Sequence, residues 1–184
     1  WLANKMINPS AIPSTMEELV LEHSLARYAL REAMGEHNRL AVELKGVQKK
    51  IGISDVFNQI MNGQPRVKMS RVDTLIAMGG PLRCAPRRSQ ALAAIIDGVQ
   101  PEGITEIYLD GSGVLPITGL LEEIEDGKGV ALMEQNLSAL GTVVCPVFDA
   151  KLNGIVLRGS ISLPGGKVRE LAVQAGSIEI IPLS

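Results

Sequence analysis

Apolar and polar positions near the start of the chain follow the period of an α-helix. Ser14 and Glu17, or Thr15 and Glu18, have the spacing of a capping box, which marks a helix start. Small and apolar residues then recur every three or four positions, at Leu19, Ala26, Leu30 and Ala33. The pattern predicts an amphipathic helix from Ser14 or Thr15 to about His37.

Two strand-turn-helix units are predicted further along. An apolar run at 74–78 has the length of a strand and stops at Gly79-Gly80-Pro81, before a helical pattern at 86–99. A strand at 104–109 and a helix at 114–124 follow. This alternation predicts an α/β fold. Residues 40–74 carry weaker signals, which predict a strand at 39–44, a short helix at 54–62 and a loop at 63–65.

Beyond about Leu140 the pattern changes to short apolar runs separated by glycines. The segment Pro164-Gly165-Gly166-Lys167 favours a hairpin turn, because glycine adopts the positive φ angles that tight hairpins need. We therefore predict two domains, residues 1–140 and a small antiparallel β-module at 141–184. The strand positions predicted for this module lie at 143–144, 155–157, 160–163, 168, 171–173 and 178–181.

Charge and composition narrow the classes of partner. The 184 residues include 18 basic and 20 acidic side chains, so no broad field attracts nucleic acid or a membrane surface. No apolar run approaches the roughly 20 residues needed to cross a bilayer, and no signal peptide is evident. We expect a cytoplasmic protein that binds neither nucleic acid nor membrane.

Cysteine and histidine positions give no sign of a catalytic or metal-binding residue. Cys84 and Cys145 lack the spacing of a redox or zinc site, and we interpret both as buried or incidental thiols. His23 lies within the first predicted helix and His37 at its end, where structural roles are favoured over metal binding or acid/base catalysis.

The glycine pair Gly79-Gly80 is the main candidate for ligand binding. A strand that runs into two glycines lets the backbone approach a nucleotide closely, since glycine has no Cβ. The same pattern also occurs as a plain tight connection. The turn Asp110-Gly111-Ser112-Gly113 is either a phosphate-binding turn or an ordinary strand-to-helix connection.

Five arginines are open to two interpretations. Arg27 and Arg31 lie one helical turn apart and either bind a base or phosphate or form a solvated helix face. Arg83, Arg87 and Arg88 follow the glycine pair closely enough to reach a bound phosphate, or else lie on the surface.

Short motifs in the same order resemble the MutL-type accessory protein of glutamate mutase, which is unrelated to the mismatch-repair protein of that name. The strand and glycine loop at 75–82 are similar to the nucleotide loop of that family, and 114–121 to its next helix. The remaining similar positions lie at 8–13, 15, 18, 24–27, 36–37, 141–146 and 175–183.

The resemblance implies the C-terminal lobe of an actin-like, ribonuclease H-like ATPase. It implies that Gly79, Gly80 and Pro81 contact ATP or ADP, and that the protein reactivates an adenosylcobalamin-dependent mutase. The chain begins at Trp1. We expect an N-terminal lobe or a second chain to supply the phosphate loop and the Mg²⁺ site.

Two departures from the family pattern keep alternatives open. Ala77-Met78 stands where the family has Gly-Thr, and no Asp-x-Gly-Ser/Thr phosphate loop is present. This chain alone is therefore not expected to hydrolyse ATP. The alternatives are a non-catalytic binding or assembly module derived from an actin-like ATPase, and half of a small-molecule kinase.

Overall fold

The computed structural model describes residues 1–41, 66–146 and 154–182. Its helices are α1 (Leu2–Ile7), α2 (Met16–Leu40), α3 (Gly80–Arg83), α4 (Arg88–Val99), α5 (Leu115–Ile124) and α6 (Lys128–Asn136). Its strands are β1 (Thr74–Ala77), β2 (Gly103–Asp110), β3 (Leu137–Cys145), β4 (Ile155–Ser162) and β5 (Val168–Gln174).

Helix α2 begins as the capping-box spacing predicts. Of the two pairs considered, Thr15 and Glu18 form the cap, because the Thr15 hydroxyl accepts a hydrogen bond from the Glu18 N–H at 3.2 Å. The Glu18 carboxylate in turn accepts from the Ser14 N–H at 2.7 Å. The helix continues to Leu40, so the strand predicted at 39–44 is wrong for Arg39 and Leu40.

The core of the first sheet lies between β1, β2 and α4. Strands β1 and β2 are parallel, with Leu75 opposite Ile107 and Ala77 opposite Leu109. These side chains share one face of the sheet, since side chains alternate along a strand. Ala77, Ile107 and Leu109 are buried there with Ile95 of α4. The predicted strand-turn-helix-strand arrangement is confirmed.

Strand β3 belongs to a different sheet from the one we predicted. We assigned residues 143–144 to a short strand of the β-module, but β3 runs from Leu137 to Cys145 in a sheet of order β1-β2-β3. Leu140 and Val143 pack against the core. The chain divides into compact units at 1–143 and 144–184.

The second unit contains an antiparallel hairpin of β4 and β5. Its turn is closed by a hydrogen bond from the Gly166 N–H to the Leu163 carbonyl, with φ of 83° at Gly165. Proline followed by a glycine at positive φ is typical of a type II turn, so the predicted hairpin turn is confirmed. The strand predicted at 178–181 is wrong, since these residues have no regular secondary structure.

The remaining differences concern short elements. Helices α1, α3 and α6 were not predicted from the sequence; α1 and α3 contain only 6 and 4 residues. The helix predicted at 54–62 and the loop at 63–65 lie outside the described residues.

Gly98 marks a close approach of α4 to α2 and gives a testable prediction. A Cβ at Gly98 would lie 2.5 Å from the Leu30 Cβ and 3.3 Å from the Arg27 carbonyl oxygen. Gly98→Ala therefore pushes the helices apart, and we expect the free energy of unfolding in urea to fall by about 2 kcal/mol.

Gly35→Ala is the matched control, because a Cβ at this position in α2 meets no atom within 4 Å. It is expected to raise the free energy of unfolding by about 0.5 to 1 kcal/mol, since alanine is a better helix former than glycine. Equal effects of the two substitutions would contradict the close approach at Gly98.

Candidate functional site

The glycine pair forms the turn that leads from β1 into α3. Gly79 has a φ of 123°, a conformation that residues with a side chain rarely adopt. Gly80 is the first residue of α3, and Pro81 follows it. A Cβ added at Gly79 or at Gly80 would meet no atom within 4 Å. The backbone of this turn is therefore open to a ligand.

A cavity of about 380 Å³ adjoins this turn. Gly80, Pro81 and Cys84 form one side, and Leu19, Glu22 and His23 of α2 form another. Residues between α1 and α2 complete the wall, among them Pro9, Ala11, Ile12 and Pro13. Two of the three sequence-predicted site residues, Gly80 and Pro81, thus line a cavity of a size that small ligands occupy. Gly79 makes the turn beside it.

An ion pair of Lys5 and Glu22 lies at the cavity wall. The Lys5 Nζ is 2.9 Å from the Glu22 Oε1, and the side chains are 14% and 6% exposed. Lys5 also donates to the Ala11 carbonyl oxygen at 2.7 Å and lies 5.4 Å from the centre of the Trp1 ring. These contacts hold the N-terminal segment against α2.

Two polar atoms at this wall lack hydrogen-bond partners within the described part of the chain. They are the Glu22 Oε2 and the His23 Nε2, and both are buried. Both residues line the cavity, although these two atoms themselves have almost no accessible surface. His23, for which the sequence favoured a structural role, therefore lies at the candidate site.

The turn after β2 is closed by its own carboxylate. The Asp110 Oδ1 accepts from the backbone N–H of Ser112 at 3.2 Å and of Gly113 at 2.7 Å, and the Oδ2 accepts from that of Leu115 at 3.0 Å. A phosphate would need these same N–H groups. Of the two interpretations of this turn, the structure therefore supports the ordinary strand-to-helix connection.

Asp110 is fully buried, and its surroundings favour the charged form. Burial raises the pKa of the carboxyl group, but the neighbouring backbone N–H groups of Leu115, Gly113, Val114 and Ser112 lower it. The net result is a pKa below the ordinary value of 3.8. Asp110 is thus an ionised structural anchor for the start of α5.

The candidate arginines lie elsewhere. Arg27 forms an ion pair with Asp97 of α4 at 3.0 Å, and Arg83 donates to the Ser112 carbonyl oxygen at 3.1 Å. Arg87 and Arg88 are exposed at the start of α4. Arg31 lines a second cavity, near the C-terminal ends of α2 and α4. None of the five is among the residues that line the first cavity.

Cys84 is exposed and lines the first cavity. Of the expected buried or incidental thiol, the buried alternative is therefore wrong for Cys84. Lys5 and Glu22 were missed by the sequence analysis. The helical period placed Glu22 among the polar positions of α2, and only the position of the N-terminal segment shows that it is buried.

Two kinds of feature are absent from residues 1–41, 66–146 and 154–182. No group of three or more His, Cys, Asp or Glu side chains is arranged to hold a metal ion. No helix there has the length and apolar character needed to cross a lipid bilayer.

Comparison with known proteins gives one finding. A family model described as MutL protein matches residues 1–137, which include every residue that lines the first cavity. Nothing among the curated proteins or the solved structures matches the chain.

Proposed function

Because this chain belongs to the MutL protein family, whose members are associated with glutamate mutase, we propose that it is the nucleoside-binding half of an ATP-dependent reactivating chaperone. Its client is an adenosylcobalamin-dependent mutase. The family match over residues 1–137 confirms the resemblance to MutL-type mutase-associated proteins. The binding of ATP, the chaperone activity and the cobalamin-dependent client are proposed in addition to what the family match shows.

The cavity beside Gly80 is the observation that carries the proposal. Its volume of about 380 Å³ lies in the range of small-ligand pockets, and its glycine side lets a ligand approach the backbone. The walls combine apolar residues such as Leu19 and Ile12 with a few polar groups. This composition suits the flat, largely apolar base and the hydroxyl groups of a nucleoside.

The phosphates and Mg²⁺ require groups from outside this chain's described residues. The turn at Asp110 uses its N–H groups internally, and no arginine lines the cavity. No acidic cluster for a metal ion lies in the described ranges. We therefore assign to the described residues the binding of the nucleoside only, and propose that an N-terminal lobe or a second chain binds phosphate and Mg²⁺.

Nucleotide binding between two lobes provides a mechanism for reactivation. A ligand that contacts both lobes favours the closed arrangement, and its loss favours the open one. If the two arrangements differ in affinity for the mutase, nucleotide turnover changes mutase binding and permits the release of damaged cobalamin.

The test is the binding of ADP, measured by isothermal titration calorimetry on the full 184-residue chain. We expect the wild type to bind ADP and Gly80→Val to lose at least about 80% of the affinity, since one added clash costs about 1 to 3 kcal/mol. A Cβ at Gly80 meets no protein atom within 4 Å, so we expect the fold to accept the substitution while the ligand is displaced.

Gly111→Val is the matched control. A Cβ at Gly111 also meets no atom within 4 Å, and Gly111 does not line the cavity, so ADP affinity is expected to stay unchanged. Labelling of Cys84 provides a second readout, because ADP in the cavity should slow its reaction with a thiol reagent. Undetectable ADP binding by the wild type would sink the proposal.

The closed turn at Asp110 favours a second candidate, the non-catalytic assembly module. In that case the chain binds a purified adenosylcobalamin-dependent mutase but does not bind ADP. A chain that binds ADP but no such mutase would instead fit half of a small-molecule kinase.

A further inference from the structure

Helix α2 has an exposed apolar face in addition to the side that packs against α4. On the α4 side, Leu30 closely approaches Gly98. The sides turned away from α4 carry large apolar residues that are between 41 and 64% exposed: Val20, Leu21, Leu25 and Tyr28. Apolar residues that recur at three- and four-residue steps are typical of a helix that packs along another helix. This pattern favours a second helix as the partner of the exposed face.

The charges on this face are arranged symmetrically about its centre. Ser24 lies in the middle, and Glu17 and Arg31 lie equally far before and after it, each about two helical turns away. The three side chains therefore lie on the same side of α2. Glu17 and Arg31 are both exposed, and neither forms an ion pair with a described residue. The face thus carries one negative end and one positive end, both without a partner among the described residues.

A second copy of the chain complements this arrangement. When two α2 helices pack antiparallel about a twofold axis at Ser24, each Glu17 faces Arg31 of the second copy, and the axis makes this contact twice. Each Val20 then lies opposite Tyr28 of the second copy, and the small Ser24 side chain lets the helices approach at the axis. A parallel arrangement is disfavoured, because it places like charges against each other at both ends.

We propose that the chain forms a homodimer in which the exposed faces of two α2 helices pack antiparallel, with Glu17 of each copy paired with Arg31 of the other. Tyr28 lies within this contact, and tyrosine is enriched at protein interfaces. The residues that form it do not line the cavity beside Gly80, so the dimer is independent of the proposed nucleotide binding. The contact extends over about 20 Å of helix, a small interface that favours a dissociation constant in the micromolar range.

Sedimentation velocity on the full 184-residue chain, over a concentration range from about 1 to 300 µM, tests the dimer. We expect the wild type to be mainly dimeric at the highest concentration and to dissociate on dilution. A wild type that stays monomeric throughout overturns the proposal.

Charge reversal tests the arrangement of the helices. Glu17→Arg and Arg31→Glu each place like charges at both symmetric contacts, and we expect each to weaken the homodimer at least about fivefold. An equimolar mixture of the two variants restores opposite charges at both contacts, so a heterodimer with an affinity close to that of the wild type is expected. A folding defect in either variant does not produce this restoration.

Glu123→Arg is the matched control for these variants. Glu123 is exposed on α5, and its reversal changes the net charge by the same amount as Glu17→Arg. We expect the affinity of the homodimer to stay unchanged. A wild-type dimer whose affinity is the same in Glu17→Arg, Arg31→Glu and Glu123→Arg overturns the proposal, since a different surface then holds it together.

Tyr28→Ser tests the apolar part of the contact. We expect the homodimer to weaken about tenfold or more, because buried tyrosines at the centre of an interface contribute strongly to binding. Ile124→Ser is the control, since Ile124 is an exposed apolar residue on α5. Equal weakening by both substitutions overturns the proposal, and weakening by Tyr28→Ser alone supports it.

Discussion

Gly129→Ala is expected to lower the free energy of unfolding by about 3 kcal/mol, the largest loss among the substitutions considered. Gly129 is buried where α6 packs against α5. A Cβ there would lie 2.1 Å from the Thr118 carbonyl oxygen, 2.8 Å from the Glu122 Cβ and 2.9 Å from the Glu122 backbone nitrogen. Two of these atoms are backbone, so a change of rotamer cannot relieve the clash.

The expected loss of stability in Gly129→Ala also includes the hydrogen bonds that hold the start of α6. The Glu122 carboxylate accepts hydrogen bonds from the N–H groups of Gly127 and Val130 at 2.9 and 3.0 Å, so moving α6 away from α5 weakens these bonds as well. The prediction is checked by urea unfolding followed by circular dichroism.

Gly119→Ala is the control for this substitution. Gly119 is exposed within α5, and a Cβ at this position meets no atom within 4 Å. We expect the substitution to raise the free energy of unfolding by about 0.5 to 1 kcal/mol. If Gly129→Ala proves as stable as Gly119→Ala, the packing of α5 against α6 described here is incorrect.

Asp110→Asn is expected to lower the free energy of unfolding at pH 7 by about 2 kcal/mol. The buried carboxylate accepts hydrogen bonds from three backbone N–H groups, those of Ser112, Gly113 and Leu115. An asparagine amide retains one accepting oxygen and places an NH₂ group against the remaining donors. At least one buried N–H then loses its partner.

The stability lost in Asp110→Asn depends on pH, and the lowered pKa of Asp110 determines the direction of this dependence. The folded-state pKa of Asp110 is lowered from 3.8, so its ionised form adds stability that is fully present above pH 3.8. This contribution is lost as the pH falls through the folded-state pKa. The difference between wild type and Asp110→Asn should therefore be largest near neutral pH and shrink in acid.

Asp97→Asn is the control for the pH series. Asp97 forms a half-exposed ion pair with Arg27, and such pairs contribute less than about 1 kcal/mol. Urea unfolding of the three proteins at neutral pH and in acid provides the measurement. A difference between wild type and Asp110→Asn that stays constant with pH would show that the carboxylate charge is not the stabilising feature.

Local sequence patterns predicted the longer elements because each pattern reflects the geometry of its own segment. The capping spacing at Thr15 and Glu18 placed the start of α2, and the apolar run before Gly79 placed β1. Sheet membership depends on distant partners instead. The residues of β3 have a pattern that suits either sheet, and only the position of β2 assigns them to the first.

The strand predicted at 178–181 failed for a related reason. Apolar residues such as Ile178 and Ile180 are compatible with a strand, but a strand also needs a partner for its backbone hydrogen bonds. Among the described residues, the second sheet contains β4 and β5 only. A hydrophobic pattern is thus necessary for such a strand but is not sufficient to predict one.

The sequence by itself determined the α/β alternation, the glycine turn at Gly79-Gly80 and the membership of the MutL family. These depend on local residue chemistry and motif order. Only the tertiary structure brought Lys5, Glu22 and His23 to the cavity beside Gly80 and closed the Asp110 turn with its own carboxylate. Burial and hydrogen-bond pairing depend on segments distant in sequence, which a local pattern does not specify.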